Sequence, residues 1–145
     1  MWVLMSALAS AQEQSQVHKQ LSVRDKPPSC TELAKQHENL VEELHGLIHQ
    51  DITPSYVPMR AASCLLELQP LQVDVYRHWM IDPHSKGLAY LVVSTMPDLP
   101  VESAVFLARA GLEGVHSESL KIRLERLEIP EVHQAIQDIQ LQEKK

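Results

Sequence analysis

The pattern of apolar and polar positions over residues 71–95 predicts a β-hairpin in the centre of the chain. Apolar and polar residues alternate at the start of this stretch, which is the period of a strand with one buried face. Residues 82–87 carry the Asp, Pro, Ser and Gly typical of turns, and a second apolar segment rich in valine follows at 88–93. We therefore expect two antiparallel strands joined by the turn at 82–87.

Residues 29–50 carry the strongest helical pattern. Ser29 and Glu32 have the spacing of a capping box, in which the hydroxyl and the carboxylate bind backbone N–H groups at a helix start. Beyond them the apolar positions recur at steps of three and four, as expected for one helix face. These positions include Leu33, Leu40, Leu44, Leu47 and Ile48. The pattern predicts one amphipathic helix that ends before Thr53-Pro54.

Four other segments favour helices. Pro58 and Pro130 are each suited to the first turn of a helix, and residues 101–111 form an apolar helical pattern that ends at Gly111. Residues 120–129 fit both a strand and a helix, and their many charges favour a helix with one solvated side. No internal repeat of solenoid length is apparent.

Together these elements predict an α+β fold, mainly helical, with a small antiparallel sheet built on the central β-hairpin at 71–95. Residues 1–28 are polar over much of their length and end in Lys26-Pro27-Pro28, so we expect a flexible N-terminal arm. A single α+β domain is expected over 29–142, since a chain of 145 residues is of the size of one domain.

Composition and charge restrict the classes of partner. The net charge is −6 and no basic cluster occurs, which argues against binding to nucleic acid. No apolar run approaches the roughly 20 residues that cross a bilayer, so no membrane span is expected. The N-terminal segment 1–11 ends in a sequence similar to a signal-peptidase site, but its apolar run is short and it lacks a basic start. Two cysteines, Cys30 and Cys64, favour reduced thiols in a cytoplasmic or nuclear protein.

Motifs for catalysis are scarce. The four glycines never form a phosphate-binding loop, and no Gly-x-Ser-x-Gly sequence occurs. One constellation could bind a metal, because Glu42, His45 and His49 share a face of the predicted helix and carry ligands suited to zinc or iron. The alternative is that these polar residues form the solvated side of an amphipathic helix.

The sequence therefore favours a non-enzymatic adaptor or a small subunit of a larger assembly, with no cofactor. Its expected contact surface is the helix at 29–50, and the edge of the predicted sheet is a second candidate. The partner is expected to be a protein, in line with a hetero-oligomer. The partner-binding candidates are Leu33, Leu40, Leu44, Leu47 and Ile48. The alternative function is a metal-binding protein or metal-dependent enzyme that uses Glu42, His45 and His49.

Overall fold

The computed structural model describes residues 15–49 and 54–144, and every regular element within them is helical. The prediction of an α+β fold with an antiparallel sheet is therefore wrong, since these residues contain no strand. A 3-10 turn, Met96–Asp98, follows the sixth α-helix. The α-helices of the described residues are α1 (Gln16–Leu21), α2 (Cys30–Gln36), α3 (Leu40–Ile48), α4 (Val57–Leu68), α5 (Val73–Ile81), α6 (Lys86–Thr95), α7 (Val101–Leu112), α8 (Ser117–Glu125) and α9 (Pro130–Glu143).

Residues 71–95 form α5 and α6 where the sequence predicted a β-hairpin. The buried side chains of α5 are Tyr76, Trp79 and Met80, which follow the i, i+3, i+4 spacing of a helix face. A strand would place Trp79 on the face opposite Tyr76 and Met80. Only a helix buries all three large side chains on one side, and their burial outweighs the local alternation.

The segment between α5 and α6 is a turn, as the sequence predicted. Asp82 Oδ1 accepts a hydrogen bond from the His84 N–H at 2.9 Å, and Ser85 Oγ accepts one from the Leu88 N–H at 3.2 Å. The serine thereby caps the start of α6. The turn residues located the chain reversal correctly, but the reversal joins two helices.

The helix predicted over 29–50 is divided into α2 and α3. Ser29 Oγ accepts a hydrogen bond from the Glu32 N–H at 3.1 Å, which confirms the serine half of the predicted capping box. His37 then adopts an extended backbone, with φ −130° and ψ 121°, and ends α2. Residues 50–53, where the predicted helix ends, lie outside the described residues.

Other sequence predictions are confirmed. Helices α4, α7 and α9 lie at the predicted places, with Pro130 in the first turn of α9. The ambiguous segment 120–129 is helical as far as Glu125, the end of α8. Capping residues and prolines therefore located the starts of α2, α4 and α9.

The chain divides into two compact units, Met1–Leu68 and Gln69–Lys145, whereas the sequence predicted one domain over 29–142. In the first unit α3 packs along α4, and α1 contacts both. Val17 and Leu21 on α1 are fully or almost fully buried. Residues 16–21 of the predicted flexible arm are thus part of the folded unit, while residues 1–14 lie outside the described residues.

Arg60 on α4 and Tyr56, which precedes α4, bind the C-terminal end of α1 and the residues that follow it. The Arg60 guanidinium donates hydrogen bonds to the carbonyl oxygens of Leu21 at 2.9 Å and Val23 at 2.5 Å, and it lies 4.3 Å from the centre of the Tyr56 ring. The Tyr56 hydroxyl donates to the Ser22 carbonyl at 2.5 Å. These bonds satisfy carbonyl groups that have no partner at a helix end, and they place positive charge where the helix dipole is negative.

A disulfide joins Cys30, the first residue of α2, to Cys64 in α4. The two Cα atoms are 5.4 Å apart, within the ordinary range for a disulfide. The expectation of two reduced thiols is therefore wrong. The sequence left a single bridge open as the less favoured alternative, because the cysteines are 34 residues apart and only the packing of α2 on α4 brings them together.

The second unit consists of α5–α9, arranged as stacked helical hairpins. Helix α5 packs on α6, α7 on α8, and α8 on α9. Helices two apart in the sequence also pack side by side, namely α5 with α7, α6 with α8, and α7 with α9. This combination of contacts defines an α-solenoid. The first hairpin is α5–α6, the second is α7–α8, and α9 occupies the first position of a third.

Buried positions in the second unit recur with a period of about 28 residues, the length of one hairpin. The sequence showed no repeat because burial recurs at these positions while the residue type changes. The equivalent buried sets are Tyr76, Ala104 and Val132; Trp79, Leu107 and Ala135; Met80, Ala108 and Ile136; Val92 and Leu120; and Met96 and Leu124.

Two glycines in helix interiors provide a test of packing in the two units. A methyl group on Gly111 would lie 2.7 Å from Met80 Cε and 2.9 Å from Leu120 Cδ1, whereas a methyl group on Gly46 would meet nothing within 4 Å. Met80 and Leu120 are fully buried, so both side-chain ends must shift within the core to admit the methyl group. We expect Gly111→Ala to lower the free energy of unfolding by about 1–2 kcal/mol, because overpacking outweighs the gain in helix propensity.

The matched variant Gly46→Ala should raise the free energy of unfolding by about 0.5–1 kcal/mol, because it gains helix propensity without a clash. Urea denaturation of both variants, followed by circular dichroism, measures the two effects. Equal stabilisation by the two substitutions would contradict the close approach of α5, α7 and α8 at Gly111.

Candidate interaction surface

The five apolar residues predicted to bind a partner lie in the core of the first unit. Their exposed fractions are 7% or less. A partner could reach them only by displacing contacts within the chain, so they form no accessible apolar surface here. They are Leu33, Leu40, Leu44, Leu47 and Ile48.

The metal-ligand candidates do not converge. Glu42 and His49 are exposed, and His45 is half-buried on α3. Among residues 15–49 and 54–144, no group of three or more His, Cys, Asp or Glu side chains is placed to hold a metal ion. The described residues therefore give no support to the metal-dependent alternative.

A groove runs between α8 and α9 in the second unit. It comprises three neighbouring cavities of about 270, 300 and 420 Å³, which share lining residues along α9. Leu112, Ile136 and Ile139 lie at the bottom of the groove but are each at most 7% exposed, so little apolar area is accessible there. We call this feature the α8–α9 groove, lined by Leu112, Ser117, Lys121, Ile136, Ile139, Gln140 and Glu143.

The groove occupies a defined place in the stack. Helix α8 packs on α7, its partner in the hairpin, and on α6, the equivalent helix of the preceding hairpin. If the array continued, the next helix would pack on α9 as α8 packs on α7, and on α8 as α8 packs on α6. The α8–α9 groove lies between α8 and α9, at that position. The α8–α9 groove therefore lies where a further helix of the stack would pack.

Carboxylates dominate the rim of the groove. Glu113 and Glu143 line one end together with Ser117, Glu118 lines the middle cavity, and Glu125 lines the other end. The single lysine of the groove, Lys121, already lies 3.9 Å from a carboxylate oxygen of Glu125. The groove thus presents an excess of negative charge around an apolar floor.

A buried polar atom lies at one end of the groove. His133 lines the cavity beside Glu125 and Ile136, and its Nε2 is inaccessible to solvent and without a hydrogen-bond partner. Within the described residues the only other such side-chain atom is Glu43 Oε2 in the first unit. Buried polar atoms normally have partners, so the burial of His133 Nε2 carries a free-energy cost in this unit.

Sequence reasoning missed the groove entirely. Its residues follow no motif, and their juxtaposition depends on the stacking of hairpins. The signal that could have located it is the period of about 28 residues in apolar positions, which would have predicted successive hairpins and hence a surface beside the last one.

A second cluster links α6 to α8 across adjacent hairpins. The Arg123 guanidinium lies 3.6 Å from the centre of the Tyr90 ring. A hydrogen bond from Ser119 and the nearby charges of Lys86 and Arg123 lower the pKa of the Tyr90 phenol. These contacts join the outer surfaces of α6 and α8.

The tyrosines of the second unit should titrate in a fixed order. Burial raises the pKa of Tyr76 from 10.0 to about 12, and its hydroxyl donates to the Gln69 carbonyl at 2.5 Å. Tyr90 should therefore ionise first. Above pH 10 the unfolded chain loses the Tyr76 proton while the folded chain keeps it, so the stability contributed by the neutral phenol is lost as the pH rises from 10 towards about 12.

An NMR titration of the tyrosine ring signals measures the order in which Tyr90 and Tyr76 ionise. The variants Tyr90→Phe and Tyr76→Phe assign each signal to its residue. The Tyr76→Phe variant should also show a weaker loss of stability in this alkaline range. If Tyr76 ionised before Tyr90, its burial in the folded unit would be contradicted.

No helix of residues 15–49 or 54–144 has the length and apolarity to span a bilayer, which agrees with the sequence prediction. Comparison of the chain with protein-family models, with curated proteins and with solved structures gives no match. The function must therefore be argued from the stacked hairpins and the α8–α9 groove.

Proposed function

We propose that this chain is a non-enzymatic adaptor or small subunit of a protein assembly, and that it binds a helix of its partner in the α8–α9 groove. The observation that carries the proposal is that the three cavities coincide with the next helix position of the stack. Stacked helical repeats commonly bind proteins through extended surfaces of this kind. The carboxylates along the rim of the groove supply charge that a partner helix would complement.

This proposal moves the contact surface from the first unit to the second. The leucines of α2 and α3 stabilise the first unit by their burial, and they are already covered. The groove, in contrast, remains open along much of α9. An amphipathic helix docking in a groove is a common mode of peptide recognition, with apolar side chains spaced three and four residues apart on the buried face.

Site-specific photo-crosslinking tests the proposal. A benzophenone amino acid replaces Gln140, which lines the groove, in the full chain expressed in the cells that naturally produce it. The matched control replaces Gln134, which is exposed on the same helix and whose side chain hydrogen-bonds to Asp138. We expect a protein adduct from position 140 that is absent from position 134. Identical adducts from both positions, or none from either, would contradict binding in the groove.

The Cys30–Cys64 disulfide bears on where the protein works. We propose an oxidising compartment in place of the cytoplasm or nucleus, because disulfides rarely persist where thiols are kept reduced. Alkylation of the native protein in intact cells, before and after reduction, measures the thiol state. The proposal is supported if neither cysteine is alkylated before reduction and both are alkylated after it. Alkylation of the cysteines without reduction would contradict the proposal.

A further inference from the structure

We infer that the occupant of the α8–α9 groove is a basic amphipathic helix of a partner protein, parallel to α8. This inference rests on the proposed function and adds the charge and direction of the bound helix. Four carboxylates surround the groove, whereas its one lysine is paired with one of them. Lysine and arginine flanking the apolar face of the bound helix would complement this rim.

The repeat geometry gives the direction. In the stack, α6 and α8 are equivalent helices of successive hairpins, and each follows a reversal of the chain. A helix at the next position would run parallel to α8 and antiparallel to α9. Its N-terminus would then lie beside Ser117 and Glu143, at the opposite end from Glu125 and His133.

The charges of the rim favour the same direction. Glu113, Glu118 and Glu143 lie towards the end where α8 begins, and Glu125 alone lies at the other end. The N-terminus of a helix carries a partial positive charge, which is stabilised beside carboxylates. The rim and the repeat geometry therefore give one orientation from independent observations.

The size of the groove sets the length of the bound segment. Helix α8 has 9 residues and extends along the groove from Ser117 to Glu125. At about 1.5 Å per residue a matching helix spans about 13 Å, or two to three turns. Two inward apolar residues four apart, as Leu120 and Leu124 are in α8, would reach the apolar floor of such a groove.

Synthetic peptides derived from α8 test the inference, because α8 itself binds the equivalent surface of α6 and α7. The probes have the sequence of residues 115–128, stapled on the outward side so that they are helical in isolation. The basic probe carries Glu118→Lys and Glu125→Lys. The acidic probe carries Lys121→Glu and Arg123→Glu. Both keep Leu120 and Leu124, so the two probes differ in charge and share the apolar face.

Binding to the full chain is measured by fluorescence anisotropy and mapped by amide NMR. We expect the basic probe to bind at least about tenfold more tightly than the acidic probe at low salt, with a difference that narrows as salt screens the rim. The amide signals of Ile136, Ile139 and Gln140 should shift on binding. A paramagnetic label at the N-terminus of the probe should broaden the signals of Ser117 and Glu143 more than those of Glu125 and His133.

Charge reversal of the rim provides the matched control. The variant Glu118→Lys/Glu143→Lys should lose about tenfold in affinity for the basic probe. The variant Glu42→Lys/Glu67→Lys makes the same change in net charge at exposed sites of the first unit and should keep the affinity. Equal losses in both variants would show that net charge, and not the groove, attracts the probe, and would overturn the inference.

The remaining outcomes separate the two proposals. If the acidic probe shifts the groove signals as strongly as the basic one, the inferred charge of the partner is wrong while helix binding in the groove stands. If the paramagnetic label on the probe broadens the signals of Glu125 and His133 more than those of Ser117 and Glu143, only the inferred direction of the helix is overturned. If sedimentation shows a dimer whose groove signals are protected, the occupant is a second copy and the inference of a basic partner fails. If no probe shifts these signals, both the inference and the proposed function fail.

Discussion

Replacing both cysteines, in Cys30→Ser/Cys64→Ser, is expected to lower the free energy of unfolding of the first unit by about 3–4 kcal/mol. The disulfide closes a loop between residues 34 apart, so its removal restores conformational freedom to the unfolded chain. Cys64 is also buried, and a serine there would place a hydroxyl in the core. A loss of this size is a large part of the roughly 5–15 kcal/mol that stabilises a typical domain.

Hydrogen exchange of individual amides measures this effect, because it reports α2 and α4 separately from the helices of the second unit. The wild-type protein in a thiol reductant should lose a similar amount of protection, and the double variant should be insensitive to the reductant. Unchanged protection of α2 and α4 in the reduced wild-type protein would contradict a stabilising disulfide.

The variant Trp79→Ala is expected to lower the free energy of unfolding of the second unit by about 3–5 kcal/mol. Trp79 is 2% exposed, and its ring centre lies 5.0 Å from that of Tyr76 in a tilted arrangement. Its removal leaves a cavity in the first hairpin, at the position equivalent to Leu107 and Ala135. Neither of those smaller side chains can fill the space from its own hairpin.

The matched control is Phe106→Ala, since Phe106 is 43% exposed on α7. It removes an aromatic side chain from the same unit and should cost less than about 1 kcal/mol. Urea denaturation followed by far-ultraviolet circular dichroism compares the two variants. Similar losses for both would place Trp79 on the surface and contradict the helical packing of α5.

Much of the helical content could be predicted from the sequence, because the signals for it are local. Ser29 caps α2 through a bond to a residue three positions away, and Pro130 has a fixed φ suited to a first helical turn. The error at 71–95 has an equally local origin. Alternation there matched a strand over a few residues, but it separated Trp79 from Tyr76, and burial of both aromatic side chains decides the structure.

The stack and its groove could not be predicted because they depend on contacts between distant residues. Trp79, Leu107 and Ala135 are equivalent in burial but differ widely in volume, so a comparison of residue types along the chain shows no repeat. The disulfide likewise needs α2 to lie against α4 before its two thiols meet. In the groove, Ser117 and Glu143 acquire a shared role only through the packing of α8 on α9.

Stacked hairpins also affect how the second unit opens. Helix α9 packs on α7 and α8, whereas α7 packs on α5, α8 and α9, so α9 should fray before α7. A helix bound in the α8–α9 groove would supply contacts on the other side and suppress that fraying. Partner binding would thus be transmitted along the stack as a gain in local order that is greatest in α9 and decreases towards α5.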